Sequence, residues 1–208
     1  MRIELLKTTL DRAGRYQVKL DDGSFLRLYR QTVEDFGLYT GKELSDSEME
    51  SLREHAGMMS ARMRAVRIVS ASSVSKGDLQ QRLVRKGEDP DQAREAVEWM
   101  TDLKLLDDSA VARQVVSRCI AKGYGLARAK QALYEKRVPR QYWEEALAEY
   151  PNQLEEIESF LRARLDEDSD PKDVKKAIDA LLRRGHSYGV IRRALNNFRL
   201  NTEEFPEE

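Results

Sequence analysis

Cysteine and histidine, which often supply a nucleophile or a base near neutral pH, are few in this chain and lie far apart in sequence. There is one cysteine, Cys119, and there are two histidines, His55 and His186, at spacings that match no metal-binding or nucleophile motif. Cys119 falls on the apolar side of a predicted helix, beside Val115 and Val116, which predicts a buried structural thiol rather than a reactive one. We therefore predict no catalytic residues and a protein that is not an enzyme.

Two short motifs contain residue types that can hold a metal ion or a phosphate. Asp107-Asp108 could place two carboxylates on a metal, but its position at a predicted helix start favours an N-cap, where acidic groups satisfy free backbone amides. Gly123-Tyr124-Gly125 is glycine-rich like a phosphate loop, but it follows a helix, whereas a phosphate loop follows a strand. We predict a helix stop and a tight turn there, with no metal and no cofactor.

Positive charge is concentrated in the middle of the chain. Residues 58–140 contain 17 Lys and Arg against 10 Asp and Glu, whereas residues 1–57 contain 9 against 11 and residues 141–208 contain 10 against 16. The candidate partner-binding residues are basic side chains on the predicted solvent faces of two consecutive helices and their ends. They are Arg113, Arg118, Lys122, Arg128, Lys130, Lys136 and Arg137.

This basic surface has two interpretations. It can bind an anionic partner, either acidic protein loops or a DNA backbone. It can equally be an ordinary solvated helix surface, because charge-rich helices are common. Composition alone does not decide between them, since the net charge of the whole chain is only −1.

The helices that position these residues belong to a pattern that recurs three times. The copies align on Gly87, Arg137 and Gly185, which lie 50 and 48 residues apart. A leucine stands four residues before each mark, at Leu83, Leu133 and Leu181. Apolar residues also follow each mark at the spacing of one helix face. This period predicts a mostly α-helical protein with three tandem three-helix repeats in an elongated, curved array.

The N-terminal region has a different pattern. Apolar and polar side chains alternate over residues 16–20, and apolar side chains recur over residues 25–28 after the turn Asp22-Gly23, which predicts a β-hairpin. Residues 3–6 can add a third strand. A short helix is predicted from Ser45 through residue 55, with Ser45 and Glu48 as a capping box. This extension is either a small docking surface or a lid over one end of the helical array.

The predicted organisation has five segments. They are an N-terminal β-hairpin extension (1–57), three-helix repeat 1 (58–106), repeat 2 (107–150), repeat 3 (151–200) and an acidic tail (201–208). No stretch approaches the roughly 20 apolar residues of a membrane span, and the N-terminus has no signal-peptide core. We expect a cytoplasmic protein without a membrane partner, acting as a monomer.

Several of these residues carry a resemblance to a known family. Leu106-Asp107-Asp108, Ala112, Arg118 and the turn Lys122-Gly123-Tyr124-Gly125 resemble the central signature of the RecX family, bacterial proteins that modulate the RecA recombinase. Residues 75–79 with Leu83 and Gly87 are similar to the family's first-repeat motif. Val74 departs from the family, which usually has a basic residue there.

The resemblance implies a function and a partner. RecX proteins lie in the helical groove of the RecA filament on single-stranded DNA, impede ATP hydrolysis and strand exchange, and limit filament growth. The basic faces of the first two repeats would then contact the filament. The alternative is a helical-repeat module that binds nucleic acid directly through the same faces; it is disfavoured by the absence of a basic tail, by an aromatic content of only 7% and by the near-neutral total charge.

Overall fold

A computed structural model describes residues 1–7, 9–166 and 169–203, and these fold into two compact units. Unit 1 extends from Met1 to Leu106, and unit 2 begins at Asp107. The predicted mostly α-helical fold with a small N-terminal sheet is confirmed. Most of the predicted acidic tail, residues 204–208, lies outside the described residues, but its first three residues continue the last helix to Glu203.

Unit 1 begins with a three-stranded antiparallel sheet in the order β1-β2-β3. Its strands are β1 (Ile3–Leu6), β2 (Arg15–Leu20) and β3 (Phe25–Tyr29). The predicted hairpin is confirmed, and Gly23 takes the left-handed conformation (φ 83°) that its turn requires. The sheet buries Val18, Leu20 and Leu28 on the inward face.

The helices of unit 1 follow the sheet. They are α1 (Arg30–Asp35), α2 (Asp46–Ala71), α3 (Lys76–Arg85) and α4 (Pro90–Asp102). The capping box at Ser45 and Glu48 is confirmed. The prediction of a short helix ending at residue 55 is wrong, because α2 continues for 26 residues.

Gly57 lies within α2, two residues beyond the predicted helix end. A Cβ at Gly57 would lie 2.3 Å from the side-chain amide of Gln92 on α4, so α2 and α4 approach each other closely at this point. The predicted boundary at residue 57 thus falls inside a continuous helix. The first part of α2 packs on the sheet through Met49 and Leu52, and its later part packs in the core of the first repeat through Ala61 and Ala65.

Unit 2 is helical throughout its described residues. Its elements are α5 (Asp108–Ala121), α6 (Leu126–Glu135), a 3-10 turn (Arg140–Tyr142), α7 (Trp143–Ala148), α8 (Gln153–Arg162), α9 (Pro171–Arg183) and α10 (Tyr188–Glu203). Pro139 precedes the 3-10 turn, which leads directly into α7. Separate apolar clusters hold α5–α7 together and α8–α10 together.

The three residues on which the sequence repeats were aligned occupy equivalent positions in the structure. Gly87, Arg137 and Gly185 all adopt a left-handed backbone, with φ of 89°, 52° and 86°, at the end of the middle helix of each predicted repeat. The residue after each mark donates a backbone hydrogen bond to the leucine four residues before it: Glu88 to Leu83 (3.2 Å), Val138 to Leu133 (3.1 Å) and His186 to Leu181 (3.1 Å). This is a Schellman-type C-cap in each copy. All three leucines are buried as predicted; the superposition of whole repeats stays a prediction.

Candidate functional site

Helix α5 contains several residues of the signature that resembles the RecX family. Some of them lie on its buried face and others on its exposed face. Asp107 caps it, with one carboxylate oxygen accepting a hydrogen bond from the Ala110 amide at 2.9 Å, so the predicted N-cap is confirmed. The apolar face, including Cys119, is buried. The exposed face carries Arg118 and Lys122 one turn apart, and within the described part of the chain neither has a carboxylate oxygen within 4.0 Å.

The turn Gly123-Tyr124-Gly125 joins α5 to α6 and also contacts the segments that follow α7 and α9. The Gly125 amide donates to the Arg184 carbonyl at 2.8 Å. His186 Nε2 lies 3.3 Å from the Gly123 carbonyl oxygen, and the Tyr150 hydroxyl donates to the Tyr124 carbonyl at 2.7 Å. Each residue of the turn therefore holds a neighbouring segment through its backbone.

Two glycines allow this close approach. A Cβ at Gly125 would lie 2.2 Å from the Gly185 carbonyl oxygen, and a Cβ at Gly185 would lie 2.6 Å from the Cβ of Arg128. Any larger side chain at either position would force the two backbone segments apart. The prediction of a helix stop and tight turn is confirmed, and the structure adds the packing role of both glycines.

Two further cations, which the sequence did not single out, lie over the Phe160 ring, and one of them, Arg184, reaches this turn. The Arg164 and Arg184 guanidinium carbons lie 3.8 Å and 4.9 Å from the centroid of the Phe160 ring. A Cβ at Gly123 would be 3.7 Å from Arg184 Nη1, which places this guanidinium against the turn. Among the described residues, no carboxylate oxygen lies within 4.0 Å of either guanidinium.

The seven predicted partner-binding residues do not form one cluster. All are exposed except Lys136, which is half-buried. Arg113 contacts Ser109 (2.7 Å) and Glu145 on α7 (3.7 Å). Lys136 and Arg137 follow the end of α6, whereas Arg128 is in its first turn; eight residues of helix separate Arg128 from Lys136 by roughly 12 Å. Lys130 is exposed on α6 between them.

The residues that do come together lie at the turn end of α5 and α6. Burial raises the pKa of the Cys119 thiol, and the nearby charges of Arg128 and Lys122 oppose that shift. The charges of Lys122 and Arg128 thus both act on this thiol, one from each side of the turn, and Arg118 lies one helical turn before Lys122 on the exposed face of α5. We call Arg118, Lys122 and Arg128 the turn cations. Together they can attract an anionic surface.

Cys119 itself is expected to be inert. Its side chain is buried, and its raised thiol pKa reduces the fraction of reactive thiolate at neutral pH. A thiol reagent should label the native protein far more slowly than the same protein in denaturant, as measured by absorbance during the reaction. Equal labelling rates in the two conditions would contradict a structural role.

Comparisons with known proteins fit this geometry. A family model described as RecX, second three-helix domain, matches residues 107–147, which include α5, the turn and α6. The regulatory protein RecX of Clostridioides difficile (strain 630) is 26% identical over 98% of this chain and 97% of its own length. The regulatory protein RecX of Xanthomonas axonopodis pv. citri (strain 306) is 30% identical over 63% of this chain and 83% of its own length. The chain belongs to the RecX family.

Two solved structures of RecX proteins share the fold. A crystal structure of regulatory protein RecX superposes with a TM-score of 0.62 at 20% identity, covering 94% of this chain and 98% of the other. The crystal structure of RecX from Lactobacillus salivarius superposes with a TM-score of 0.59 at 21% identity, covering 69% of this chain and 97% of the other. Within the described residues of this RecX-family chain, no helix is long and apolar enough to cross a membrane.

Proposed function

We propose that this protein binds the RecA filament assembled on single-stranded DNA and lowers its ATPase activity, acting as a monomer in the cytoplasm. The observation that carries the proposal is membership of the RecX family, in a segment that includes the turn between α5 and α6. Curated relatives are named as regulatory proteins. A regulator needs a recognition surface rather than a catalytic centre, and the turn cations provide one candidate.

The electrostatics of the turn cations support an anionic partner surface. Arg118 and Lys122 have no carboxylate within 4.0 Å among the described residues, and the Arg128 guanidinium reaches Glu135 only at 3.9 Å. An exposed ion pair at that distance contributes little to stability. These charges therefore remain available to a partner, where electrostatic complementarity speeds association and fixes the register of the complex.

Reversing the turn cations together, by Arg118→Glu, Lys122→Glu and Arg128→Glu, should weaken binding to RecA filaments about tenfold or more. All three side chains are exposed, so the helical fold should persist by circular dichroism. The measurements are filament pull-down and DNA-dependent ATP hydrolysis by RecA. The difference from the native protein should shrink as salt rises, because screening already weakens the native interaction.

A matched control reverses three exposed lysines on α9, by Lys172→Glu, Lys175→Glu and Lys176→Glu. It changes the net charge by the same amount within unit 2 and should leave filament binding close to that of the native protein. If the native protein at saturating concentration leaves RecA ATPase activity unchanged, the proposed function is wrong. If both triple variants lose binding equally, the net charge of unit 2 matters rather than the turn cations.

The second candidate function is direct binding of single-stranded nucleic acid. The observation that favours it is the exposed basic face of the second repeat, because Arg118 and Lys122 have no carboxylate oxygen within 4.0 Å among the described residues and can attract a phosphate backbone. This function predicts tight binding to bare single-stranded DNA, a steep fall in affinity with salt, and no effect of added RecA. A pull-down on filaments with bare DNA as the control separates the two functions.

A further inference from the structure

Unit 1 contains a cationic groove between α2 and α3 that the proposed function does not use. It is an open groove with a volume of about 500 Å³. Four basic residues line it, Arg64 and Arg67 from α2, and Arg82 and Lys86 from α3 and its C-cap. The remaining lining residues are Ile68, Ala71 and Ser72, so no acidic residue of the described chain lines the groove.

Arg64 is held in place from behind the groove by a buried acid. Its Nε lies 2.6 Å from Glu88 Oε1, and its Nη1 donates to the Lys86 carbonyl at 2.6 Å. The Glu88 side chain is only 6% exposed and also accepts a hydrogen bond from Ser60 at 3.0 Å. A guanidinium anchored in this way loses little conformational entropy when it meets a ligand.

Arg82 is anchored by an acid in the same manner. Its Nε and Nη2 donate to the two carboxylate oxygens of Asp78 at 3.1 and 2.8 Å, which is the planar two-point pairing typical of arginine and a carboxylate. Asp78 precedes Arg82 by one turn of α3 and its side chain is 13% exposed. The pair fixes the direction of the arginine while its side chain remains 34% exposed.

Arg67 is anchored by the N-terminal extension. Its Nη2 donates to the Ala13 carbonyl at 3.1 Å and to the Tyr29 hydroxyl at 2.8 Å. Both acceptors are uncharged, so the positive charge of Arg67 is not neutralised. The hairpin therefore positions a cation at the groove of the first repeat, which gives the extension a role that its sequence pattern did not predict.

The charges at the groove do not balance. Four cations line it, and the two acids that anchor Arg64 and Arg82 lie behind them. Lys86 is exposed and makes no ion pair with any described residue. The groove thus has an excess of positive charge on anchored donors, and an anion placed in it would gain charge-assisted hydrogen bonds.

We infer that the groove between α2 and α3 is a binding site for a phosphate group. In this site Arg67 and Lys86 contact the phosphate, and Arg64 and Arg82 supply further donors. A phosphate presents several acceptor oxygens, which suits donors arriving from two helices better than a single carboxylate does. None of the described residues that line the groove is aromatic, so it recognises the phosphate rather than a base, whether that phosphate is free or part of a nucleic-acid strand.

The test is calorimetric titration of the full-length protein at low salt with three probes: inorganic pyrophosphate, a short oligothymidylate, and polyglutamate as a carboxylate control. The double variant Arg67→Gln, Lys86→Gln should bind phosphate probes about tenfold or more weakly. The control variant Arg30→Gln, Arg94→Gln removes two exposed charges from unit 1 outside the groove and should bind like the native protein. RecA is absent, so failure here is distinct from failure of the proposed function.

Each possible result of this titration either supports or overturns a phosphate site in the groove. Binding of pyrophosphate that the double variant weakens supports a site for free phosphate groups, whereas binding of oligothymidylate alone supports a strand phosphate. Absence of binding to both phosphate probes, equal binding by the native protein and the double variant, or equal affinity for polyglutamate would overturn the phosphate site.

The positioning role of the hairpin has its own test. Tyr29→Phe removes one acceptor from Arg67 without changing any charge, so it should weaken binding of the phosphate probe while thermal unfolding stays close to native. Unchanged affinity in this variant would overturn the positioning of Arg67 by Tyr29. Lost affinity with an unchanged unfolding temperature cannot come from general destabilisation and supports it.

Discussion

Replacing Gly125 with alanine is expected to lower the free energy of unfolding of unit 2 by about 3 kcal/mol or more, as for severe overpacking. The backbone of Gly125 has φ −74°, which alanine adopts without strain. The penalty comes from contact alone, because the new Cβ would lie 2.2 Å from the Gly185 carbonyl oxygen. Relieving that contact would separate the segments and weaken the hydrogen bond from Gly125 to the Arg184 carbonyl, worth about 1 kcal/mol.

The two tryptophans allow this effect to be assigned to one unit. Trp99 is in unit 1 and Trp143 in unit 2, so a Trp99→Phe background makes fluorescence during urea unfolding report on unit 2. Gly189→Ala is the matched control, since nothing lies within 4 Å of a Cβ there and alanine favours the helix by up to about 1 kcal/mol. Equal stability of the Gly125 and Gly189 variants would show that the turn does not pack as described.

The sequence pattern could predict the repeated helix ends because they depend on local chemistry. A left-handed residue, a buried leucine four residues earlier and an apolar helix face recur with the same spacing, and each follows from backbone geometry and burial. The pattern even identified Arg137 as equivalent to two glycines, although only the structure shows that it adopts their left-handed backbone. The fold class followed from these repeats.

The candidate surface was harder to predict because it depends on packing between segments distant in sequence. Arg184 reaches the turn only because Gly125 and Gly185 bring their backbones together. Arg67 faces the groove of unit 1 because Tyr29, 38 residues earlier, accepts its hydrogen bond. A charge count along the chain identifies basic stretches, but it cannot tell which cations are anchored by acids and which remain available.

The uninterrupted helix α2 shows that the ends of helices are also hard to predict when they depend on packing between distant segments. The sequence predicted a short helix ending at residue 55, and Gly57, just beyond that end, lowers helix propensity by about 1 kcal/mol relative to alanine. Helix α2 nevertheless continues through Gly57, because its later part is stabilised by packing in the core of the first repeat through Ala61 and Ala65. A single sequence shows the helix propensity of each residue but not the residues that pack against it from elsewhere in the chain. The predicted end of this helix was therefore wrong, whereas the capping box at its start, which depends on neighbouring residues in sequence, was right.

Leu133→Ala is expected to lower the free energy of unfolding of unit 2 by about 2–5 kcal/mol, as for other buried leucines. Leu133 is fully buried and packs in the apolar cluster that joins α5, α6 and α7. Truncation loses its apolar burial and leaves a cavity that the surrounding helices can fill only in part.

The neighbouring residue supplies the control for this experiment. Tyr134 is on the same helix but 67% exposed, so Tyr134→Ala should change stability by no more than about 0.5 kcal/mol. Urea unfolding followed by Trp143 fluorescence in the Trp99→Phe background measures both variants. Because Leu83 and Leu181 occupy the same capped position in the other repeats, their alanine variants should show penalties of similar size in their own units. A Leu133 variant as stable as the Tyr134 variant would contradict the repeat pattern from which the architecture was predicted.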